Sequence, residues 1–352
     1  MNMHRYSVLV LSGLLLPLSL AANPVVRNWV AYSPAEPWQP GQVIDDSLVS
    51  VDLQTLAWRG FDGLVTYGTL DSLCTVPRIA RSLGFGYVIM GVWIDTNTVT
   101  NRQGIELAIQ YHEDADAICV GNEALFFNRV SPSYLAWAMD TVRSATGKPV
   151  TTSEHWTMYL DPAHGPWLQR HSDFLFPIMN PTDNGIHDPD QAFEWVARCY
   201  DTIAVHSGDS LRVLVKEAGW PTWSDSAPQR AWANEDNQDA FFGQLEALNR
   251  DSMRYFCFEA FDQWWKNWGP TQRYWGLFDS GRRPKLYAHR LALGESRPSP
   301  RQHATPTYGL PTSYPAVLYN IIGQKVRAGT VRRGVYFAGL QPLGFRKVLL
   351  VR

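Results

Sequence analysis

Cysteine is scarce in this chain, with four in 352 residues: Cys74, Cys119, Cys199 and Cys257. Cys119 and Cys257 lie inside short apolar runs, "DAICVGNE" and "RYFCFEAF", and read as small core residues. Nothing has metal-ligand spacing. The tightest histidine pair, His164 and His171, sits in a polar stretch, so no metal and no cofactor is expected. Charge of either sign is not in excess either. With 31 basic and 33 acidic residues and a net charge of -2, nothing points to a nucleic-acid surface or a polyanionic partner. Past the first 22 residues no run is long and apolar enough to cross a bilayer.

Those first residues have a pattern of their own. "MNMHRY" is a short basic start, "SVLVLSGLLLPLSL" an apolar stretch, and "SLAAN" a small-residue cleavage site near Ala21 or Ala22. Residues 1–22 therefore read as a secretory signal peptide, and export is expected. Tryptophan is the residue in excess. Many of the fifteen stand beside Gly, Pro or a charge, and a flat indole face suits stacking on sugar rings as well as core packing.

Short apolar runs recur along residues 23–295: "NWVAYSP", "GLVTYG", "GYVIMGVWID", "AICVGNEA", "KPVTTSEHW", "FLFPIMNP", "LRVLVKEAGWP" and "MRYFCFEAFD". Segments of helix-like periodicity separate them, such as "QGIELAIQYHEDA" and "PSYLAWAMDTVRSATG". Alternation of strand and helix predicts a parallel sheet, and eight repeats over this length predict a (β/α)8 TIM barrel. Residues 296–315 are rich in Pro, Ser and Thr and read as a linker. Residues 316–352 read as a short β-rich tail with turns at Ile322-Gly323, Arg333-Gly334 and Leu343-Gly344, too small for an independent core.

The runs end in Tyr32, Tyr67, Trp93, Asn122-Glu123, Glu154, Asn180, Glu217 and Glu259. A barrel gathers such residues on one rim, where active sites form. A carboxylate at the end of a core strand is costly unless it is paired or used. Glu123 closes the fourth run and Glu217 the seventh, so the two can face each other across the barrel mouth. Two carboxylates across an aromatic-lined cleft suit glycoside cleavage, one as acid and the other as nucleophile or base. Strand alternation predicts that Lys216 points away from Glu217.

"AICVGNEALF" and "VLVKEAGWPT" resemble the two signature stretches of glycoside hydrolase family 17, the β-1,3-glucanase family. "AYSP", "TYGTLDSLCTVPRIARSLGFGYVIMGVWID" and "FEAFDQWWKNWGPTQRYWGLFD" resemble further blocks of that family in the same order, over most of residues 28–290. The resemblance implies a retaining double displacement on β-1,3-glucan or mixed β-1,3/1,4-glucan, with Glu123 as acid/base and Glu217 as nucleophile. It implies that Asn122 holds the sugar hydroxyl next to the reacting carbon. With Trp220 and Lys266 added from the signature blocks, the expected substrate contacts are Tyr32, Tyr67, Trp93, Asn122, Glu154, Asn180, Trp220 and Lys266. Three departures bear on subsite affinity and linkage: Val65 stands where the family usually has Arg, and Gln263 and Gln272 where Glu is common.

The tail resembles the C-terminal sorting domain of the type IX secretion system, on "LYNIIGQKV", "GVYF" and the closing "KVLLVR". That implies passage through the periplasm to the cell surface or medium, with the outer-membrane secretion machinery as a partner. Three functions are compatible with the carboxylates and the aromatics together. They are a secreted glucan hydrolase, a transglycosylase that resolves the same intermediate with a second sugar, and a catalytically silent glucan-binding protein. An intact Asn122, Glu123 and Glu217 set argues against the third.

Overall fold

The computed structural model describes residues 28–35, 42–208, 213–251 and 253–292, with strands at 317–319, 325–326, 334–340 and 344–350. The expected signal peptide and linker lie outside the described residues.

Seven parallel strands form one curled sheet: β1 (Trp29–Ala31), β2 (Gly63–Val65), β3 (Tyr87–Val92), β4 (Ala117–Asn122), β5 (Val150–Ser153), β6 (Val215–Gly219) and β7 (Tyr255–Phe258). Their spatial order is β5-β4-β3-β2-β1-β7-β6. Residues 175–178 fill the gap between β5 and β6. Leu175 bridges Val213, and Ile178 bridges both His155 and Glu217. The Ile178 N–H donates to the Glu154 carbonyl at 3.0 Å, and the Lys216 N–H to the Pro177 carbonyl at 2.9 Å. Pro177 has no N–H to give, so this stave closes the ring without an unbroken ladder. Seven of the eight expected strands are present, the expected sixth is this bridged stave, and the fold is the expected barrel.

Among the described residues eight α-helices surround the sheet: α1 (Asp46–Trp58), α2 (Val76–Ser82), α3 (Thr98–Gln110), α4 (Pro132–Thr146), α5 (Gly165–His171), α6 (Pro189–Ser207), α7 (Glu235–Asp251) and α8 (Leu286–Ala292). Their ends follow local chemistry. In α4 the Ser131 hydroxyl accepts the Tyr134 N–H, Pro132 takes the first turn, and Gly147 ends the helix at φ 65°.

Strand alternation sorts side chains into two apolar compartments. Val88, Met90, Ile118, Val120, Val213 and Val215 pack outward against helix residues such as Leu53, Leu135 and Phe241. Trp29, Ala31, Val65, Ile89, Ala117, Cys119, Phe176, Leu214 and Phe256 fill the barrel interior. All four cysteines are free and buried. In the tail, β8 (Val317–Tyr319), β9 (Lys325–Val326), β10 (Gly334–Leu340) and β11 (Gly344–Leu350) form an antiparallel sheet in the order β11-β10-β8-β9.

Candidate active site

Both strands that carry the expected carboxylates slip register just before delivering them. β4 shifts against β5 between Cys119 and Asn122, and β6 shifts against β7 between Val215 and Ala218. A slip of this kind re-aims the side chains that follow it. In β4 it runs through Gly121 at φ 89°, where an added Cβ would lie 3.1 Å from both Leu135 Cδ1 and Thr152 Oγ1. Glycine is required there on both counts. Glu123 follows at φ 51°, with its N–H donating to the Ser153 carbonyl at 2.7 Å.

The slip in β6 overturns the expectation for Lys216. Leu214 faces inward and both Val215 and Ala218 face outward, so alternation is broken between residues 215 and 218. Lys216 and Glu217 consequently reach the same cluster. The Tyr67 hydroxyl donates to Glu217 Oε1 at 2.8 Å, and Asn180 Nδ2 to Glu217 Oε2 at 3.3 Å. The Lys216 ammonium lies 4.2 Å from the centroid of the same Tyr67 ring and donates to Asn122 Oδ1. Asn122, Lys216, Tyr67, Glu217 and Asn180 thus form one chain of contacts, although they come from four different staves.

Glu123 is half-buried, and burial pushes its carboxyl up to about 8, with the charges of Glu217 and Glu154 adding to the rise. Lys216 and Arg129 oppose the shift. Glu154 is fully buried beneath the turn that follows Glu123. Its Oε1 accepts the Leu125 N–H and its Oε2 the Phe126 N–H, both at 3.0 Å. Burial raises its carboxyl to about 7 against the pull of those donors. Glu259, also fully buried, pairs with Lys266 at 2.6 Å. Burial raises it to about 7, the Lys266 charge pulls it down, and the Glu217 charge adds to the rise.

Aromatic side chains line the rim. Arg129 lies over Trp93 and Phe127, at 4.9 and 5.0 Å from the ring centroids, and donates to the Asn122 carbonyl. Trp93, Phe126, Phe127, Trp223, Trp264 and Trp268 are all exposed. Of the expected substrate contacts, Tyr67, Asn122 and Asn180 come together around Glu217, and Trp93 stands on the rim. Lys266 is reached through Glu259. Glu154 lies under the site, with both oxygens engaged by the backbone.

Two expected contacts lie elsewhere. Tyr32 is buried and donates to Asp52 Oδ2 of α1 at 2.9 Å. Trp220 is fully buried on Phe241 and donates to the Trp232 carbonyl at 2.9 Å. A strand-end position fixes where the backbone is but not which way an aromatic turns. Gln263 also has a structural account: its amide donates to the carbonyls of Ser33, Pro34 and Phe261, which a carboxylate is unable to do. Lys216 and Arg129 are the cations that sequence reasoning missed. The slip hid the first, and no motif marked the second.

Solved structures with the same fold include a glycoside hydrolase family 17 β-1,3-glucanosyltransferase from Rhizomucor miehei, with TM-score 0.63 and 19% identity, covering 75% of this chain and 97% of that one. An endo-laminarinase from Formosa Hel1_33_131 aligns with TM-score 0.66 and 19% identity over 76% of this chain and 87% of its own. In sequence, the chain is 29% identical over 234 residues to a probable glucan endo-1,3-beta-glucosidase btgC of Aspergillus clavatus, covering 56% of this chain. It spans only 32% of that relative's length. A glucan 1,3-beta-glucosidase of Arthroderma benhamiae is 25% identical over 295 residues, covering 78% of this chain and 95% of its own. The family model of the BtgE/BtgC glycoside hydrolase domain matches residues 30–276, a span that holds both carboxylates, their register slips and the aromatic rim, and the chain belongs to that family.

Proposed function

We propose that the chain is a retaining glycosidase acting on β-1,3-glucan, with Glu123 as acid/base and Glu217 as nucleophile. The observation that carries this reading is the division between the two carboxyls. Glu123 holds its proton to about pH 8, whereas both oxygens of Glu217 accept hydrogen bonds, from Tyr67 and Asn180. A carboxyl that is still protonated near neutrality is a proton donor, and one fixed by donors on both oxygens is an oriented nucleophile.

In the first step the Glu123 O–H bond breaks and its proton goes to the glycosidic oxygen as the bond to the anomeric carbon breaks. A Glu217 oxygen forms the new bond to that carbon. In the second step the Glu123 carboxylate takes a proton from an incoming water, whose oxygen displaces Glu217. The names of the relatives supply the substrate class, a β-1,3-linked glucan. A sugar hydroxyl in place of that water gives transglycosylation. Exposed Trp268, packed on the Trp265 ring that lies 5.7 Å from the Lys266 ammonium, favours this as a second reading. Export across the cell envelope, with the tail as the address, belongs to the same proposal and rests on the terminal sequence patterns alone.

Glu217→Ala is expected to lose turnover of a β-1,3-gluco-oligosaccharide at least about a thousand-fold, with azide restoring part of it as a glycosyl azide. Retained turnover that azide fails to stimulate overturns the nucleophile assignment. Glu123→Ala is expected to spare activated aryl glycosides, whose leaving groups need no proton, far more than natural glucan. Equal loss on both substrates removes Glu123 from the acid role.

A further inference from the structure

Lys216 is a buried cation that pairs with no carboxylate among the described residues. Its residue is 1% exposed, and among the described residues no Asp or Glu oxygen lies within ion-pair distance of its ammonium. The contacts it does make are the Asn122 side chain and the face of Tyr67. A buried ammonium without a counter-ion is costly to fold around. Leucine or methionine would fill the same inward position without that cost, as Leu214 does two residues earlier.

The contact with Asn122 is informative because lysine only donates. The atom that receives its hydrogen bond must be the amide oxygen, so the orientation of the Asn122 side chain is settled by chemistry. The NH2 group is then turned away from the ammonium, and it makes no hydrogen bond within the protein among the described residues. Asn122 is half-buried beside Glu123, at the open end of β4. A fixed donor therefore points out of the protein next to the proposed acid.

We propose that Lys216 is a positioning residue for the reaction: its ammonium locks the Asn122 amide so that the NH2 group donates to a hydroxyl of the reacting sugar, and its charge stabilises the Glu123 carboxylate left after proton donation. This rests on the acid/base reading of Glu123. The charged and titratable groups around Glu123 are Glu217 of β6, Glu154 after β5, Arg129 of its own loop and Lys216 of β6, and the two cations oppose the two carboxylates. Tyr67, just after β2, and Cys119 of β4 also face Lys216, and burial raises both further above neutrality, so both are un-ionised there. Val65 presents no charge to the barrel interior, so Lys216 supplies the cation on this inner face.

The test compares wild type with Lys216→Met, Asn122→Ala and their double variant, using methyl β-laminaribioside, whose leaving group needs a proton, and its counterpart lacking the 2-hydroxyl on the reacting sugar. Lys216→Met is expected to lower kcat about a hundredfold with KM changed by less than about threefold. It is expected to move the alkaline limb of kcat/KM up by about one pH unit, because a nearby positive charge has gone. Its preference for the 2-hydroxyl should vanish, and the double variant should be no worse than the poorer single one. An unmoved limb with additive losses overturns the proposal.

Where the methionine variant fails to fold, Lys216→Gln takes its place. It keeps an amide donor and drops the charge, so the limb should move while the 2-hydroxyl preference stays. A limb that does not move in that variant overturns the proposal as well. A carboxyl titration of Glu123 by 13C NMR, made without substrate, separates the two levels of inference. If wild type turns over neither glycoside, the functional reading fails. The upward shift of the Glu123 titration in Lys216→Met, or its absence, still decides whether Lys216 acts on Glu123.

Discussion

Glu123 has a proton affinity suited to an acid and poorly suited to a stable fold. In the unfolded chain its carboxyl titrates near 4.3, and in the folded protein burial moves it to about 8. Between those values the folded state binds the extra proton, so this group's contribution to stability falls as pH rises. The contribution is complete below about pH 4.3 and is lost as pH passes through the folded value. Glu123→Gln, neutral at every pH and nearly the same shape, removes the loss. Its melting temperature is expected to match wild type closely at pH 4 and to exceed it by several degrees at pH 9. A difference that is the same at both pH values counts against the assignment. With Glu123 as the proposed acid, the alkaline limb of wild-type kcat/KM is expected at about pH 8. Both carboxylates were legible in the sequence, because a glutamate at the end of an apolar strand is costly without a use. Lys216 was not legible, because ideal alternation sends it to the opposite face from Glu217. Tyr32 and Trp220 were read as contacts for the converse reason, since sequence places a strand end without placing its side chain.

The elements themselves were legible, since apolar runs of strand length alternate with helical periods and each run found its stave. What periodicity does not carry is irregularity. The slips in β4 and β6 depend on tertiary pairing, and they are what bring Asn122, Glu123, Lys216 and Glu217 to one place. The turn after β4 is held from outside by Glu154, which accepts two backbone N–H groups of residues 125 and 126. Truncation to Glu154→Ala leaves the buried Leu125 donor and the part-buried Phe126 donor without an acceptor, at a cost of about 1–3 kcal/mol for a buried one before any water enters. We expect a loss of about 2–4 kcal/mol in urea unfolding, together with a lower kcat, because the same turn carries Glu123. Glu154→Gln keeps one acceptor oxygen and should lose about half as much. If both variants unfold within 0.5 kcal/mol of wild type, a threshold of about the scatter of surface substitutions, the turn is held by something else.

Within the barrel, residues far apart in sequence meet on one open face, and on the proposed reaction that face is where water and sugar compete as acceptor. From Glu217 the path outward runs through the Glu259–Lys266 pair to Trp265, whose ring centroid lies 5.7 Å from the Lys266 ammonium. Trp268 follows, 5.4 Å from Trp265 between centroids and 62% exposed. An indole left in water at that position offers an apolar face to a sugar ring, a contact of about 0.5–1.5 kcal/mol by analogy with aromatic pairs. Such a contact favours a bound glucan over water as the group that releases Glu217. On the transglycosylation reading, a time course on a defined linear β-1,3-gluco-oligosaccharide, with each product resolved by mass, is expected to show products longer than the starting sugar. Trp268→Ala should lower the ratio of transfer to hydrolysis by about tenfold, the upper end of that energy range, while the rate of donor consumption stays within about threefold. Shorter products alone in wild type establish hydrolysis and make the tryptophan an ordinary subsite wall. Longer products that survive Trp268→Ala unchanged place the acceptor elsewhere on the rim, with Trp93 and the Phe126–Phe127 pair as the next residues to replace.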